Sequence, residues 1–182
     1  MTAAGAQRWD LLFADLEAQL VAHEQAVRDG QVAELTRAEH AQIALADRLR
    51  AVVGARVAVD LGDGDGVRGV VRQVAAAWVL IEGHGARGRT EHLVPLAAVG
   101  AITGLTRRCV PSTARTDALG LGVVLRELQR DRARVLVRTS AGQAVGRLAR
   151  VGQDHLDLEE SDRAPTCVRT VPFAALRCVS QA

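Results

Sequence analysis

Arginines in two loop-like stretches are the residues of this chain best suited to bind phosphate. Arg87 and Arg89 flank a glycine in a Gly-rich run, and Arg107-Arg108 opens a stretch of Thr, Ser, Arg and Pro. Guanidinium groups bind phosphate oxygens, so these four side chains are candidates for nucleic-acid contact. The alternative is solvated loop charge, which we favour because all 23 basic residues are Arg, a bias typical of a GC-rich coding genome.

Groups that could perform acid–base, nucleophilic or metal chemistry are scattered along the chain. Of the five histidines, His84 and His92 could approach each other across a loop, but no i, i+4 pair lies near a Cys or Glu. The three cysteines have no C-x-x-C spacing, and no serine lies in a nucleophile elbow. Asp154-His155 and Glu159-Glu160 are interpreted as structural or surface charge. The sequence therefore predicts no catalytic residue, no metal site and no cofactor, and hence no enzyme.

Composition limits the kinds of partner. The net charge is only +2, which argues against strong non-specific DNA binding but leaves room for a local basic patch. Aromatic residues make up 2% of the chain and Tyr is absent, so the core must consist of Val, Leu, Ile and Ala. No apolar run approaches the length of a membrane span, and the N-terminus does not resemble a signal peptide. We expect a cytoplasmic protein with no membrane partner.

The segment 1–53 is predicted to be helical. Asp29-Gly30 interrupts the helical pattern, which indicates a hairpin of two helices, and one long helix in a dimeric coiled coil is the alternative. One face carries large apolar side chains at three- and four-residue steps, namely Trp9, Leu12, Phe13, Leu16 and Leu20. This stripe either packs on the domain that follows or forms a dimer or partner interface.

After Gly54 the apolar period changes from helical to two. Val57, Val59 and Leu61 alternate with other residues, which predicts a strand. The run Gly62–Gly66 then predicts a hairpin turn; it lacks the G-x-x-x-x-G-K-[ST] pattern of a phosphate loop. A short helix is predicted near 118–130, and strands return from Val135 onward.

The two strand-rich stretches repeat each other. Gly69 matches Gly146, and 146 minus 69 is 77; the same offset aligns 69–102 with 146–179 without a gap. The motif V-P-[LF]-A-A-[VL] recurs at that offset, which chance similarity would seldom produce. Upstream the offset is 78, where Val57 matches Val135. The sequence therefore predicts one duplicated module, each copy preceded by a helix.

The module resembles the Sm-like fold and, more broadly, SH3-like small barrels, over 55–102 and 133–179. Both copies give V-x-V, a Gly-containing turn, a glycine-bearing long strand and a short final strand. The resemblance implies an α+β fold: an N-terminal helical hairpin followed by two repeated Sm-like/SH3-like small β-barrels, each preceded by a helix. The predicted domains are a helical segment at 1–53, a first barrel at 54–104, a linker at 105–117, and a helix with a second barrel at 118–182. The chain is also similar to a group of small actinobacterial proteins often labelled Fis-type regulators.

The Sm-like resemblance does not carry an RNA pocket with it. At the positions of the family's motif Asp this chain has Ala75 and Gly152, and at those of the Asn it has Val79 and Leu156. Two functions stay open. The first is a non-catalytic, RNA-associated regulatory protein. The second is a protein-interaction or assembly module without nucleic-acid binding, in which edge strands pair between subunits of a homo-oligomer.

Overall fold

The computed structural model of the protein describes part of the chain in detail. The described residues are 41–62, 64–85, 88–112, 119–160 and 167–181, together with six single residues before them: Gln19, Leu20, His23, Gln25, Arg28 and Glu34. They belong to two units, Met1–Ile43 and Ala44–Ala182. The second unit contains all the elements below.

The second unit is built mainly of strands. Its two described α-helices are α1 (Leu45–Arg50) and α2 (Leu121–Arg130). The first five strands are β1 (Arg56–Gly62), β2 (Asp65–Val74), β3 (Trp78–Gly85), β4 (Gly88–Pro95) and β5 (Ala101–Thr103). The second five are β6 (Arg134–Thr139), β7 (Gly142–Val151), β8 (His155–Glu160), β9 (Cys167–Pro172) and β10 (Leu176–Gln181). One turn of 3₁₀ helix precedes β5 at Leu96–Ala98 and β10 at Phe173–Ala175.

All ten strands join one antiparallel sheet in the order β5-β1-β2-β3-β4-β10-β6-β7-β8-β9. In each half the fifth strand pairs with the first: β5 with β1, and β10 with β6. Strand β4 also pairs with β10, where Leu93 lies opposite Val179 and His92 opposite Ser180. We call this β4–β10 pairing the seam, because it joins the two halves of the sheet.

The two halves share local detail as well as strand order. In β2 the register shifts between Val71 and Gln73, and in β7 it shifts between Leu148 and Arg150, 77 positions later. Such bulges bend a strand and increase its twist. Gly69 and Gly146 lie next to the carbonyl oxygens of Glu82 and Glu159, so closely that a β-carbon at either position would overlap that oxygen. Close backbone approach therefore explains why glycine occurs in both copies.

Two hydrophobic clusters form the interior. The first is built around β1, where Val57, Val59 and Leu61 are buried on alternate positions as the period of two predicts. The second surrounds Leu125 of α2, which is fully buried against the second half. The clusters exchange side chains across the seam: Cys178 of β10 belongs to the first cluster. From the first half Ala75, Trp78 and Leu93 belong to the second.

The fold predicted from the sequence is wrong in its central feature. The two repeats do not form separate small barrels behind a helical hairpin; hydrogen bonding between β4 and β10 makes them one open ten-stranded sheet. The second helix expected within 1–53 is also interrupted. The chain leaves helical geometry at Ile43 and Ala44, and Ala44 (φ −75°, ψ 151°) begins the short helix α1. Most of 1–40 lies outside the described residues.

Candidate functional site

Of the arginines predicted to bind phosphate, Arg89 lies in β4 and is already in an ion pair. Its Nε is 3.2 Å from Oε1 of Glu82, while its side chain is 73% exposed. The same carboxylate accepts two hydrogen bonds from Arg72, at 3.0 and 2.9 Å. The hydrogen bond from Arg72 is the main cause that lowers the pKa of Glu82, against a smaller opposing effect of burial. The Glu82 carboxylate thus offsets part of the positive charge of Arg72 and Arg89. Arg87, the other arginine predicted in this loop, lies outside the described residues.

Arg107 and Arg108 follow the edge strand β5 and are both exposed. The Arg108 backbone N–H donates to the Thr106 hydroxyl at 3.3 Å. Helix α1 holds this stretch: Arg48 donates to the Thr106 carbonyl at 3.1 Å, and the Val110 N–H donates to the Asp47 carbonyl at 2.9 Å. The predicted arginines therefore belong to different parts of the sheet, one near the seam and two beyond an edge.

The predicted partner-binding stripe is described at one position only. Leu20 is 60% exposed. The other four residues, Trp9, Leu12, Phe13 and Leu16, lie outside the described part of the chain.

A polar cluster that the sequence analysis missed lies at the seam, where Ser180 and Cys178 are buried and His92 is half-buried. His92 Nδ1 and Ser180 Oγ are 2.7 Å apart, and the Cys178 Sγ is 3.4 Å from the same hydroxyl. Nearby, Arg138 Nη1 is 3.0 Å from Oδ1 of Asp65, which joins β6 to β2. Burial lowers the pKa of His92, and the positive charge of Arg138 lowers it further. Burial likewise raises the pKa of the Cys178 thiol, so both groups favour their neutral forms.

This cluster does not have the access that covalent chemistry needs. Ser180 is 3% exposed and Cys178 is fully buried. A substrate cannot reach either nucleophile without opening the seam. We interpret the hydrogen bonds as structural, linking β4 to β10 at the point where their backbones pair.

His84 and His92, which the sequence suggested could approach each other, line one open groove of about 650 Å³ beside β5. The charged residues that line it are Asp60, Asp65 and Arg68. The mixture of charges favours neither a cation nor an anion. In the described part of the chain no three His, Cys, Asp or Glu side chains cluster as metal ligands would.

The adjacent acid–histidine pair, Asp154 and His155, lies where strand β8 begins. Asp154 Oδ1 is 2.8 Å from His155 Nδ1, and the Asp154 side chain is almost fully exposed. The hydrogen bond from His155 lowers the pKa of Asp154. Glu160, by contrast, forms an ion pair with Arg169, with Nε and Oε1 2.6 Å apart.

The two ends of the described sheet are edge strands, β5 and β9. Among the described strands, β5 pairs only with β1 and β9 only with β8. An edge strand presents a row of backbone N–H and C=O groups that can pair with another chain. Four consecutive residues of β9, from Cys167 to Thr170, are exposed, and Val168 is 57% exposed. By the internal repeat, β9 is the counterpart of β4 and β5 is the counterpart of β10, which are the two strands of the seam.

The internal repeat already relates the strands of the seam to the strands at the edges. The 77-residue offset pairs Thr103 with Ser180 and His92 with Arg169. Because the seam joins strands from distant parts of the chain, the offset acquires this meaning only once β4 and β10 are known to pair.

No protein-family description matches the chain, and no curated protein matches it. The likeness to Sm-like proteins and to Fis-type regulators therefore stays a prediction. Within the described residues, no helix has the length and apolar character needed to cross a bilayer.

Proposed function

We propose that this chain is a non-catalytic assembly module that binds further copies of itself, with edge strand β9 of one copy pairing with edge strand β5 of the next. The observation that carries the proposal is the seam. It is a contact of the same kind already made inside the chain, between β4 and β10. The edge strands of the described sheet, β5 and β9, are the repeat counterparts of those two strands.

Backbone pairing supplies the binding free energy in such a contact. Each edge adds a neighbour that satisfies its outward N–H and C=O groups. The two edges differ, so the contact is head-to-tail and generates a ring if the rotation closes, or a filament if it does not. The burial of Ser180 and Cys178, the two nucleophiles beside the seam, supports the non-catalytic part of the proposal.

The test measures assembly of the full chain by sedimentation velocity over a wide concentration range. We expect species larger than a monomer whose population rises with concentration. Val168→Lys places a charge on the exposed edge strand, where lysine opposes strand addition, and it should shift the population toward monomer.

Val123→Lys is the matched control, because Val123 is an exposed valine on helix α2 rather than on an edge. It should leave assembly unchanged. A wild-type chain that stays monomeric at every concentration would contradict the proposal, as would equal effects of the two lysine variants.

RNA binding is the second proposal. It is favoured by the exposure of Arg107 and Arg108 beyond β5 and weakened by the ion pair of Arg89 with Glu82. The chain's net charge of +2 gives it little further support.

A further inference from the structure

The residues of the seam have counterparts on β5 and β9, the two edge strands of the described sheet. Val179 and Ser180 lie 77 positions after Ile102 and Thr103 of β5, since 180 minus 103 is 77. On the other side, the counterparts of Leu93 and His92 are Thr170 and Arg169 of β9, since 169 minus 92 is 77. If the edge contact repeats the seam, Thr103 of one copy lies opposite Arg169 of the next, as Ser180 lies opposite His92.

Arg138, on strand β6 beside the seam, also has a counterpart, and the charge of that counterpart is reversed. Arg138 lies opposite Cys178 of β10, two positions before Ser180, so its side chain is on the same face of the sheet as those of Ser180 and His92. Strands β1 and β6 are offset by 78, and 138 minus 78 is 60, so the counterpart of Arg138 is Asp60. The seam thus places a histidine near an arginine, whereas the corresponding edges carry Arg169 and Asp60.

We infer that Arg169 of one copy forms an ion pair with Asp60 of the next, and that this pair sets the register and direction of assembly. The inference rests on the proposed head-to-tail pairing of β9 with β5. The pair joins opposite charges at the two edges of the sheet. Each edge therefore binds the unlike edge of a second copy in preference to the like edge.

Both side chains can make this contact. Asp60 is exposed and lines the groove beside β5 together with Ala101 and Thr103. Its Oδ1 accepts the Gly62 N–H at 2.8 Å, and a carboxylate has further acceptor sites. Arg169 is 44% exposed and uses its Nε toward Glu160. A guanidinium carries five N–H donors in a planar fork, so it can serve a second carboxylate.

Charge variants test the ion pair in the full chain. Asp60→Asn keeps an acceptor oxygen for the Gly62 N–H and removes the charge, and Arg169→Gln removes the opposite charge. We expect each to raise the dissociation constant between copies by about two- to fivefold, the range for an exposed ion pair. Arg150→Gln, at an exposed arginine of β7 away from both edges, should have no effect.

Reversing the charges separates this inference from the proposed function. Asp60→Arg and Arg169→Asp should each raise the dissociation constant between copies. In the double variant this constant should return to within about threefold of the wild-type value. Wild-type assembly combined with no recovery in the double variant would overturn the ion pair but leave the assembly proposal standing. A wild type that never assembles would overturn both.

Cross-linking tests the register directly. The exposed thiols are first removed with Cys109→Ser and Cys167→Ser, while the buried Cys178 is kept. A copy carrying Ile102→Cys is mixed with a copy carrying Thr170→Cys under mild oxidation, because these positions are the counterparts of Val179 and Leu93, which lie opposite each other in the seam. Both copies keep Asp60 and Arg169. A disulfide between them is expected because the side chains of opposite residues on paired strands come within reach of an S–S bond. Thr103→Cys replaces Ile102→Cys in the control, and its side chain leaves the opposite face of β5. Equal cross-linking in the two mixtures, or none in either, would overturn the register.

Discussion

One pair of side chains, His92 and Ser180, links the two halves of the sheet across the seam. His92 and Ser180 lie opposite each other on β4 and β10, and their side chains hydrogen bond at 2.7 Å. A histidine can do this in its neutral form, with one ring nitrogen as donor and the other as acceptor. Both the burial of His92 and the neighbouring Arg138 favour that neutral form. The seam is therefore adapted to a pH at which His92 carries no charge.

This arrangement predicts loss of stability in mild acid. The pKa of His92 in the folded protein lies below its ordinary value of 6.5, so at lower pH the unfolded chain binds the proton more readily than the folded chain. The free energy of unfolding should therefore be fully retained above pH 6.5 and fall as pH drops through and below it.

Urea unfolding of wild type and His92→Gln at pH 8, 7, 6 and 5 measures the effect. The variant should show a flatter pH dependence over this range. Parallel curves for the two proteins would show that other groups cause the loss.

Strands and helices follow from local patterns, whereas the strand partners do not. Alternation at Val57, Val59 and Leu61 predicted β1, and an apolar helical stripe predicted a helix at 118–130, which the structure has at Leu121–Arg130. The β4–β10 pairing joins residues 88 positions apart, His92 and Ser180, and period-two patterning contains no information on which edge meets which. The same limitation hid the roles of Asp60 and Arg169, which look like ordinary surface charges until the edges are known.

Helix α2 is expected to contribute strongly to stability through one residue. Leu125 is fully buried in the second cluster, so Leu125→Ala should lower the free energy of unfolding by about 2–5 kcal/mol through lost burial and a residual cavity. Val123, on the same helix and 36% exposed, is the matched position, and Val123→Ala should cost less than about 1 kcal/mol. Denaturant unfolding measures both. A loss below 1 kcal/mol for Leu125→Ala would mean that the helix does not support this core.

At the scale of the whole molecule, charge and edges favour different partners. A net charge of +2 provides little general attraction for nucleic acid, while two unlike sheet edges suit a chain that joins its own copies. The duplication thus gives the molecule one seam inside the chain and two edge strands, β5 and β9, that can form an equivalent contact between copies.

RNA binding should accordingly be weak and sensitive to salt. Fluorescence anisotropy with labelled single-stranded RNA is expected to give a dissociation constant no tighter than about 1 μM at physiological salt, as for contacts to phosphate alone. Arg107→Ala with Arg108→Ala should weaken whatever binding occurs at low salt and reduce its dependence on salt concentration. Arg147→Ala with Arg150→Ala, at two exposed arginines of β7, provides the control for the loss of two exposed charges. Nanomolar binding at physiological salt would instead make RNA the primary partner.

The position of Trp78 gives the seam an optical reporter. Trp78 belongs to the first half but is 2% exposed inside the second cluster, and its indole N–H donates to the Leu119 carbonyl at 2.8 Å. The chain has one other tryptophan, Trp9, and no tyrosine. In a Trp9→Phe background, the fluorescence emission maximum of Trp78 would therefore report whether the two halves remain joined, without any added dye. Separation of the halves would expose the ring to water and shift its fluorescence to longer wavelength, even where each half kept its strands.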